Sequence, residues 1–420
     1  MRTFIIVWFG QLISTVGSYM TEFALILWAW NLTGSTTALA LVGFFSQLPR
    51  IPITLFAGVV VDCYSRKRLM ILGDSIAALS TLGIALLYTT DTLQIWHLYL
   101  AAALNGGFGQ IQSLAYQASV SLLVSRNQLT RANSLLASVH YGSAILGPAL
   151  AGLLYPLIGL LGILWLDLVT FGSAIALLLT CSIPQPQPEI EPKPLWSQLT
   201  LGFRYVWQRP SLRVLLLMTT LFWFFHDLGG AVYDPMILAR TNGSAQALAS
   251  TGAAAGIGGV TGAIVLSVWS GPKQRVRSLL AGFIGAGLSK TVFGLGRSLQ
   301  VWIPAQFCSS LNFPLLGSSK NALWMESVPP AIQGRVFAAN SLTVQSVSAL
   351  GVLLAGPLAD RLLEPAMMGR LTLWLPGFGS GPGTGMAVLY TACALAMMLV
   401  GIGGFLLPSI REIESPRTYN

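Results

Sequence analysis

Ala132-Asn133-Ser134-Leu135 and Ala339-Asn340-Ser341-Leu342 are the same four residues written twice, 207 positions apart. Moving outward from them, Gly142, Gly147 and Pro148 recur as Gly351, Gly356 and Pro357 at an offset of 209, which also carries the basic run Arg66-Lys67-Arg68 onto Arg275. Concordant offsets near half the chain length imply an internal duplication rather than chance matches. Each copy must then hold the same set of elements in the same order.

Composition says what those elements are. The 420 residues are 54% hydrophobic and only 9% charged, against roughly 25% charged for an average soluble domain. Apolar stretches of about 20 residues, the length of a membrane crossing, recur with short polar breaks between them. Lipid offers backbone groups no partners, so the crossings are helices. The pattern predicts spans at 3–30, 37–62, 69–90, 95–122, 132–159 and 161–182, then at 212–238, 244–270, 278–297, 299–325, 336–363 and 385–408. The fold class is thus all-α, about twelve transmembrane helices in two homologous six-helix halves, 1–182 and 212–410, with a tail at 411–420. Parallel repeats of this kind are a transporter architecture. Between the halves, 183–211 opens with Pro184, Pro186, Pro188, Pro192 and Pro194, then places Trp196, Leu199, Phe203, Val206 and Trp207 at helical spacing. That is a polar linker followed by an interfacial amphipathic helix.

The net charge of +9 does not indicate nucleic acid, because the 23 Lys and Arg are scattered among loops. Assigning alternate loops to opposite sides puts sixteen basic residues on one side and only Arg240, Arg297, Arg361 and Arg370 on the other. Arg50, Lys290 and Lys320 fall inside spans. By the positive-inside rule both termini and the linker are cytoplasmic, in a plasma (inner) membrane protein of many passes. Cys63, Cys181, Cys308 and Cys393 lack the paired spacing of a metal or redox site. The first span is too long for a signal-peptide core and is expected to be retained.

Between spans two and three stands Gly58-Val59-Val60-Val61-Asp62-Cys63-Tyr64-Ser65-Arg66-Lys67-Arg68. It resembles the signature cytoplasmic loop of the major facilitator superfamily: a glycine, an aspartate four residues on, then a basic triplet. Cys63 and Ser65 stand where that family often has arginine and glycine. Gly58 permits close helix approach, and Asp62 can accept from the exposed N–H groups at a helix start. The resemblance implies that this helix is span eleven, beginning near Gly334 and Arg335, and that the motif gates. Span five carries Gly142, Gly147-Pro148 and Gly152, similar to the glycine-and-proline motif of the superfamily's drug and metabolite antiporters; small residues four apart let helices pack closely.

Trp8-Phe9-Gly10-Gln11 and Phe23-Ala24-Leu25 in span one resemble the macrolide-efflux and siderophore-export branch. So do Gln333-Gly334-Arg335-Val336-Phe337-Ala338 and Ala355-Gly356-Pro357-Leu358-Ala359-Asp360. The resemblance implies proton-driven export of a small amphipathic organic compound by alternating access, with a cavity lined by spans one, four, seven and ten. Buried polarity collects in the spans so implicated, giving Gln11, Asn105, Gln110, Gln112, Tyr116, Gln117, Gln306, Asn312 and Asn321 as cavity candidates, with Trp223 as an aromatic one. Polar groups within a bilayer face a bundle interior or a wet cavity.

Ionisable residues in a span are costly unless paired or hydrated. Glu22 in span one, and His226 with Asp227 in span seven, occupy comparable depths in repeat-related helices. With Arg50 they are the proton-coupling candidates, and Arg50 is equally a candidate permanent partner for Glu22. Asp74 and Asp167 are assigned structural hydrogen bonds, and Lys320 the role of a snorkelling anchor. Gly285-Ala286-Gly287-Leu288-Ser289-Lys290-Thr291 lacks the glycine before the lysine that a phosphate loop requires, and no strand precedes it. The glycine run 377–385 fails dinucleotide spacing. No cofactor or metal is expected, and the protein should function as a monomer. The same fold also supports import, since alternating access does not set direction. A membrane enzyme using His226 and Asp227 is the alternative from another class, opposed by the duplication and by the presence of only three histidines.

Overall fold

The computed structural model describes residues 2–125, 128–183, 195–269, 274–329, 332–369 and 374–407. Backbone alone is described at 2, 57–59, 62, 63, 121, 129, 130, 133, 134, 137, 138, 140, 141, 195–199 and 269. The linker prolines at 184–194 and the tail at 411–420 therefore lie outside the described residues. So do the side chain of Asp62 and the environment of Gly58.

The described residues contain helices and no strand. In the first half these are α1 (Arg2–Thr33), α2 (Thr36–Gln47), α3 (Arg50–Cys63), α4 (Arg66–Thr89), α5 (Ile95–Leu123) and α6 (Leu129–Thr180). Then come α7 (Leu195–Trp207), α8 (Pro210–Ala231), α9 (Tyr233–Arg240), α10 (Ala245–Trp269), α11 (Arg275–Leu295), α12 (Leu299–Leu311), α13 (Phe313–Ser327) and α14 (Gln333–Pro357). A π-helical turn over Leu358–Leu363, α15 (Glu364–Met368) and α16 (Thr384–Leu406) complete the chain.

Nine stretches among the described residues are long and apolar enough to cross a membrane. The other expected crossings have physical explanations. α6 holds two of them: Gly159 adopts φ +64°, outside helical space. Its two arms both pack on α1 in opposite senses. Trp8 Nε1 donates to the Leu135 carbonyl at 2.7 Å, and a Cβ at Gly147 would collide with Tyr19, so α1 and the first arm run parallel. In the second arm Thr21 reaches Asp167 while Gly10 meets Ala174 and Leu177, so that arm runs antiparallel. α5 and the pair α12–α13 escape a hydropathy criterion because they carry the amides and hydroxyls assigned to the cavity.

Three spans expected to be continuous are broken. Span two divides at Leu48 and Pro49 into α2 and α3, since proline supplies no donor to the turn before it. Span seven breaks after Gly229-Gly230, where Val232 N–H turns back to the Gly229 carbonyl at 3.2 Å. Span ten breaks at Asn312, with Pro314 opening α13. These corrections leave the number of crossings unchanged but put bends in the helices that carry the charged and polar residues.

The chain forms two compact units, 1–191 with 243–253 and 192–242 with 254–420. Each packs close helix pairs through glycine. In the first unit Gly106 of α5 abuts the Ser46 carbonyl of α2; in the second, Gly258 and Gly262 of α10 abut the carbonyls of Phe307 and Leu311 in α12. The second unit is centred on Phe222, Phe283, Leu316, Leu323, Trp324 and Met397. Its loop 374–383 is tied by arginines: Arg240 donates to the carbonyls of Gly296 and Phe378, and Arg297 to those of Pro376 and Gly377. Side chains such as Leu79, Leu153, Leu157, Val169, Val268 and Leu406 are exposed, as lipid-facing positions should be.

Candidate functional site

The charged residues of the second unit meet near the end of α8. His226 Nδ1 and Asp227 Oδ1 lie 3.0 Å apart, each side chain about a quarter exposed at 22% and 24%. Ser348 of α14 stands beside the same carboxylate. Lys290 of α11 is buried at 7% exposure, within electrostatic reach of Asp227 and Cys393, and its ammonium sits 5.2 Å from the Tyr390 ring centroid. Four helices, α8, α11, α14 and α16, therefore converge on one acid, one base, one cation and one thiol. The sequence marked His226 and Asp227 as proton-coupling candidates and Lys290 only as a cation inside a span; their meeting is what the fold adds.

In the first unit Glu22 is exposed on α1, with Tyr19 and Arg50 within electrostatic reach. Arg50 is exposed too, and its guanidinium donates to Ser46 Oγ at 3.3 Å. Glu22 and Arg50 make no direct ion pair among the described residues, so the permanent partnership considered for them is not formed here.

Asp74 and Asp167 hold hydrogen-bond networks. Asp167, 1% exposed, accepts from Thr21 at 2.8 Å and Thr81 at 3.2 Å, with Thr170 also in reach. Asp74 accepts from Gln11 at 3.1 Å and Gln112 at 2.5 Å, and Gln112 also donates to Gln11 Oε1 at 3.2 Å. Gln11 and Gln112, expected at a cavity wall, thus turn their amides to a buried carboxylate. Tyr116 is buried at 8% in the cluster with Val7, Leu69 and Met70, away from any open surface.

The other candidates are dispersed. Asn105, Gln117 and Asn321 are exposed, Gln117 donating to Ser113. Gln110 donates to Thr54 and Asn312 to the Cys308 carbonyl at 2.8 Å. Gln306 Oε1 is buried without a hydrogen-bond partner in the structure. Trp223 lies 5.0 Å from His226 and 6.1 Å from Phe313, centroid to centroid.

Of the loop motif, Arg66 donates to the Ala118 carbonyl at 2.7 Å and Lys67 to the Leu179 and Cys181 carbonyls at 2.9 and 2.7 Å. Both tie the start of α4 to neighbouring helices of the first unit, Lys67 at the carbonyls that end α6. Arg68 begins α4 beside them. In the glycine-and-proline motif Gly142 has open space, Gly147 abuts Tyr19, and Gly152 abuts Ala249, in the segment 243–253 of the same unit. Pro148 lies 3.7 Å from the Cβ position of Gly252.

A family model described as Major Facilitator Superfamily matches residues 7–352. Macrolide efflux protein A of Streptococcus pyogenes is 26% identical over 368 residues, covering 86% of this chain and 90% of that protein. Multidrug efflux pump Tap of Mycolicibacterium fortuitum is 24% identical over 423 residues, covering 98% and 97%. Among solved structures, a bacterial homologue of the iron transporter ferroportin in its inward-facing state aligns with a TM-score of 0.72 at 15% identity, over 96% of this chain and 98% of that one. A POT family transporter in complex with 5-aminolevulinic acid also aligns at 0.72, with 13% identity and 96% coverage of both chains.

Proposed function

We propose that this chain, which belongs to the Major Facilitator Superfamily and is a multi-pass membrane protein, exports a small amphipathic organic compound by alternating access coupled to protons. Export is supported by the two efflux proteins to which it is similar across most of its length. Coupling rests on one observation: the intramembrane acid Asp227 shares its surroundings with His226 and Lys290. A carboxylate between a base and a cation changes its proton affinity when either neighbour moves, so a conformational cycle can alternate capture and release. Glu22, exposed near but not paired with Arg50, is the second carboxylate suited to that task.

Asp62 in the loop motif holds the cytoplasmic gate closed, both termini face the cytoplasm, and one copy of the chain suffices. The test is flux in proteoliposomes under an imposed pH gradient, using the wild type, Glu22→Gln, Asp227→Asn and the double variant. Loss of uphill export with downhill exchange retained is the expected result. Full uphill transport in the double variant rejects proton coupling through these residues; net uptake of the same compound rejects export.

A further inference from the structure

Helix α7 is seated by one side only. Gly202 sits against the Arg335 carbonyl of α14, where a Cβ would collide. Val206 is buried in the core of the second unit, and the Tyr205 hydroxyl donates to the Ser327 carbonyl at the end of α13 at 3.3 Å. These three share one side because positions three and four apart are neighbours on a helix. The rest of the helix is open. Phe203 and Trp207, one turn apart, are 42% and 72% exposed, and Leu201, Arg204 and Gln208 are exposed beside them.

Cations gather around the Trp207 ring. Arg204 precedes it by three residues on the same helix, and the Arg213 guanidinium of α8 stands 5.9 Å from its centroid. Arg209 is engaged elsewhere, 3.6 Å over the Tyr205 ring. Residues 195–226 hold these three arginines and no acid. The ion pairs among the described residues are His226 with Asp227 and Arg275 with Glu326, so the acid beside Ser327 is already taken. An apolar stripe edged by guanidiniums without carboxylates is complementary to an anion that carries apolar chains. A second copy of this face would bring the same arginines and no acid, and like charges would repel. A zwitterionic headgroup carries its own cation beside its phosphate, so the surplus of arginines favours a headgroup of net negative charge. We propose that this side of α7 is a binding site for an anionic phospholipid, with Arg204 and Arg213 on the headgroup phosphate and Phe203 and Trp207 in the acyl boundary.

The experiment is titration of the purified full-length protein in detergent with two lipids of identical short acyl chains, phosphatidylglycerol and phosphatidylcholine, read by microscale thermophoresis. Wild type is expected to bind phosphatidylglycerol on the order of tenfold more tightly. Arg204→Gln combined with Arg213→Gln should erase that preference, whereas Arg204→Lys combined with Arg213→Lys keeps the charge and should keep most of it. Trp207→Ala should weaken both lipids alike, since it removes apolar contact and no charge. Arg277→Gln, which takes an exposed arginine from the start of α11, should change neither. Equal affinities in the wild type overturn the proposal whether or not the variants fold, and leave the face to a protein partner. A preference that survives the double glutamine variant, or falls as far in Arg277→Gln, overturns it too. So does displacement of phosphatidylglycerol by inorganic phosphate at constant ionic strength, which would mark a site for the free anion. These readings are independent of the direction of transport and of protons, so the proposal stands or falls apart from the function proposed above.

Discussion

The duplication places two buried acid clusters at equivalent crossings, and they have become opposites. In the first half, crossings one, three and six contribute Thr21, Thr81 and Asp167, an acid surrounded by hydroxyls. In the second half, the repeats of those crossings contribute Asp227, Lys290 and Cys393, with His226 and Ser348 beside them. Hydroxyls stabilise a carboxylate wherever the protein goes, because their dipoles travel with it. A lysine and a histidine instead make its charge depend on where they are. The equivalent crossings therefore hold an acid clamped by hydroxyls in one half and an acid adjustable by ionisable neighbours in the other.

The largest effect should come from breaking the adjustable member. Asp227→Asn strands Lys290 as an uncompensated buried cation, a loss of about 3 kcal/mol by the usual cost of such half-removals, read as a fall in melting temperature of the detergent-solubilised protein. Adding Lys290→Met should recover most of that stability without restoring uphill transport. Recovery of both would make the cluster purely structural. Asp167→Asn should cost less, on the order of 1–2 kcal/mol, because an amide still accepts from Thr21 and Thr81 and leaves no charge behind. It should keep pH-driven flux near that of the wild type; abolished coupling with intact folding would reverse the assignment of the two halves. Smaller still, Thr81→Ala removes one of the hydroxyl donors to Asp167 and should lower stability by about 1 kcal/mol, measured by the same melt. A loop comparison sharpens the contrast: Asp62 has no acidic counterpart in 270–277, so Asp62→Asn should slow transport several-fold with membrane insertion unchanged, whereas Arg275→Gln should change transport less. Cysteine accessibility from the cytoplasmic side should rise in Asp62→Asn and stay level in Arg275→Gln.

The repeat, the crossings and the family could all be read from the sequence, because helix number and duplication are written in hydropathy and offsets that need no partner to interpret. The bends at Pro49 and Asn312 could not, since a membrane helix can continue through proline when neighbours re-satisfy its backbone. Within the site, His226 and Asp227 were visible as charges in apolar surroundings. Gln11 and Gln112 were assigned to a cavity because an amide facing water and an amide facing Asp74 look alike along a chain. Lys290 was passed over for the same reason in reverse: its partner lies 63 residues away, on another helix.

Gly159 has a bearing on how the two arms of α6 are held. A single left-handed residue joins crossings five and six, so no spacer separates the end of one from the start of the next. Any residue with a Cβ would meet strain at this positive φ, so the opposite senses in which the two arms pack on α1 turn on one glycine.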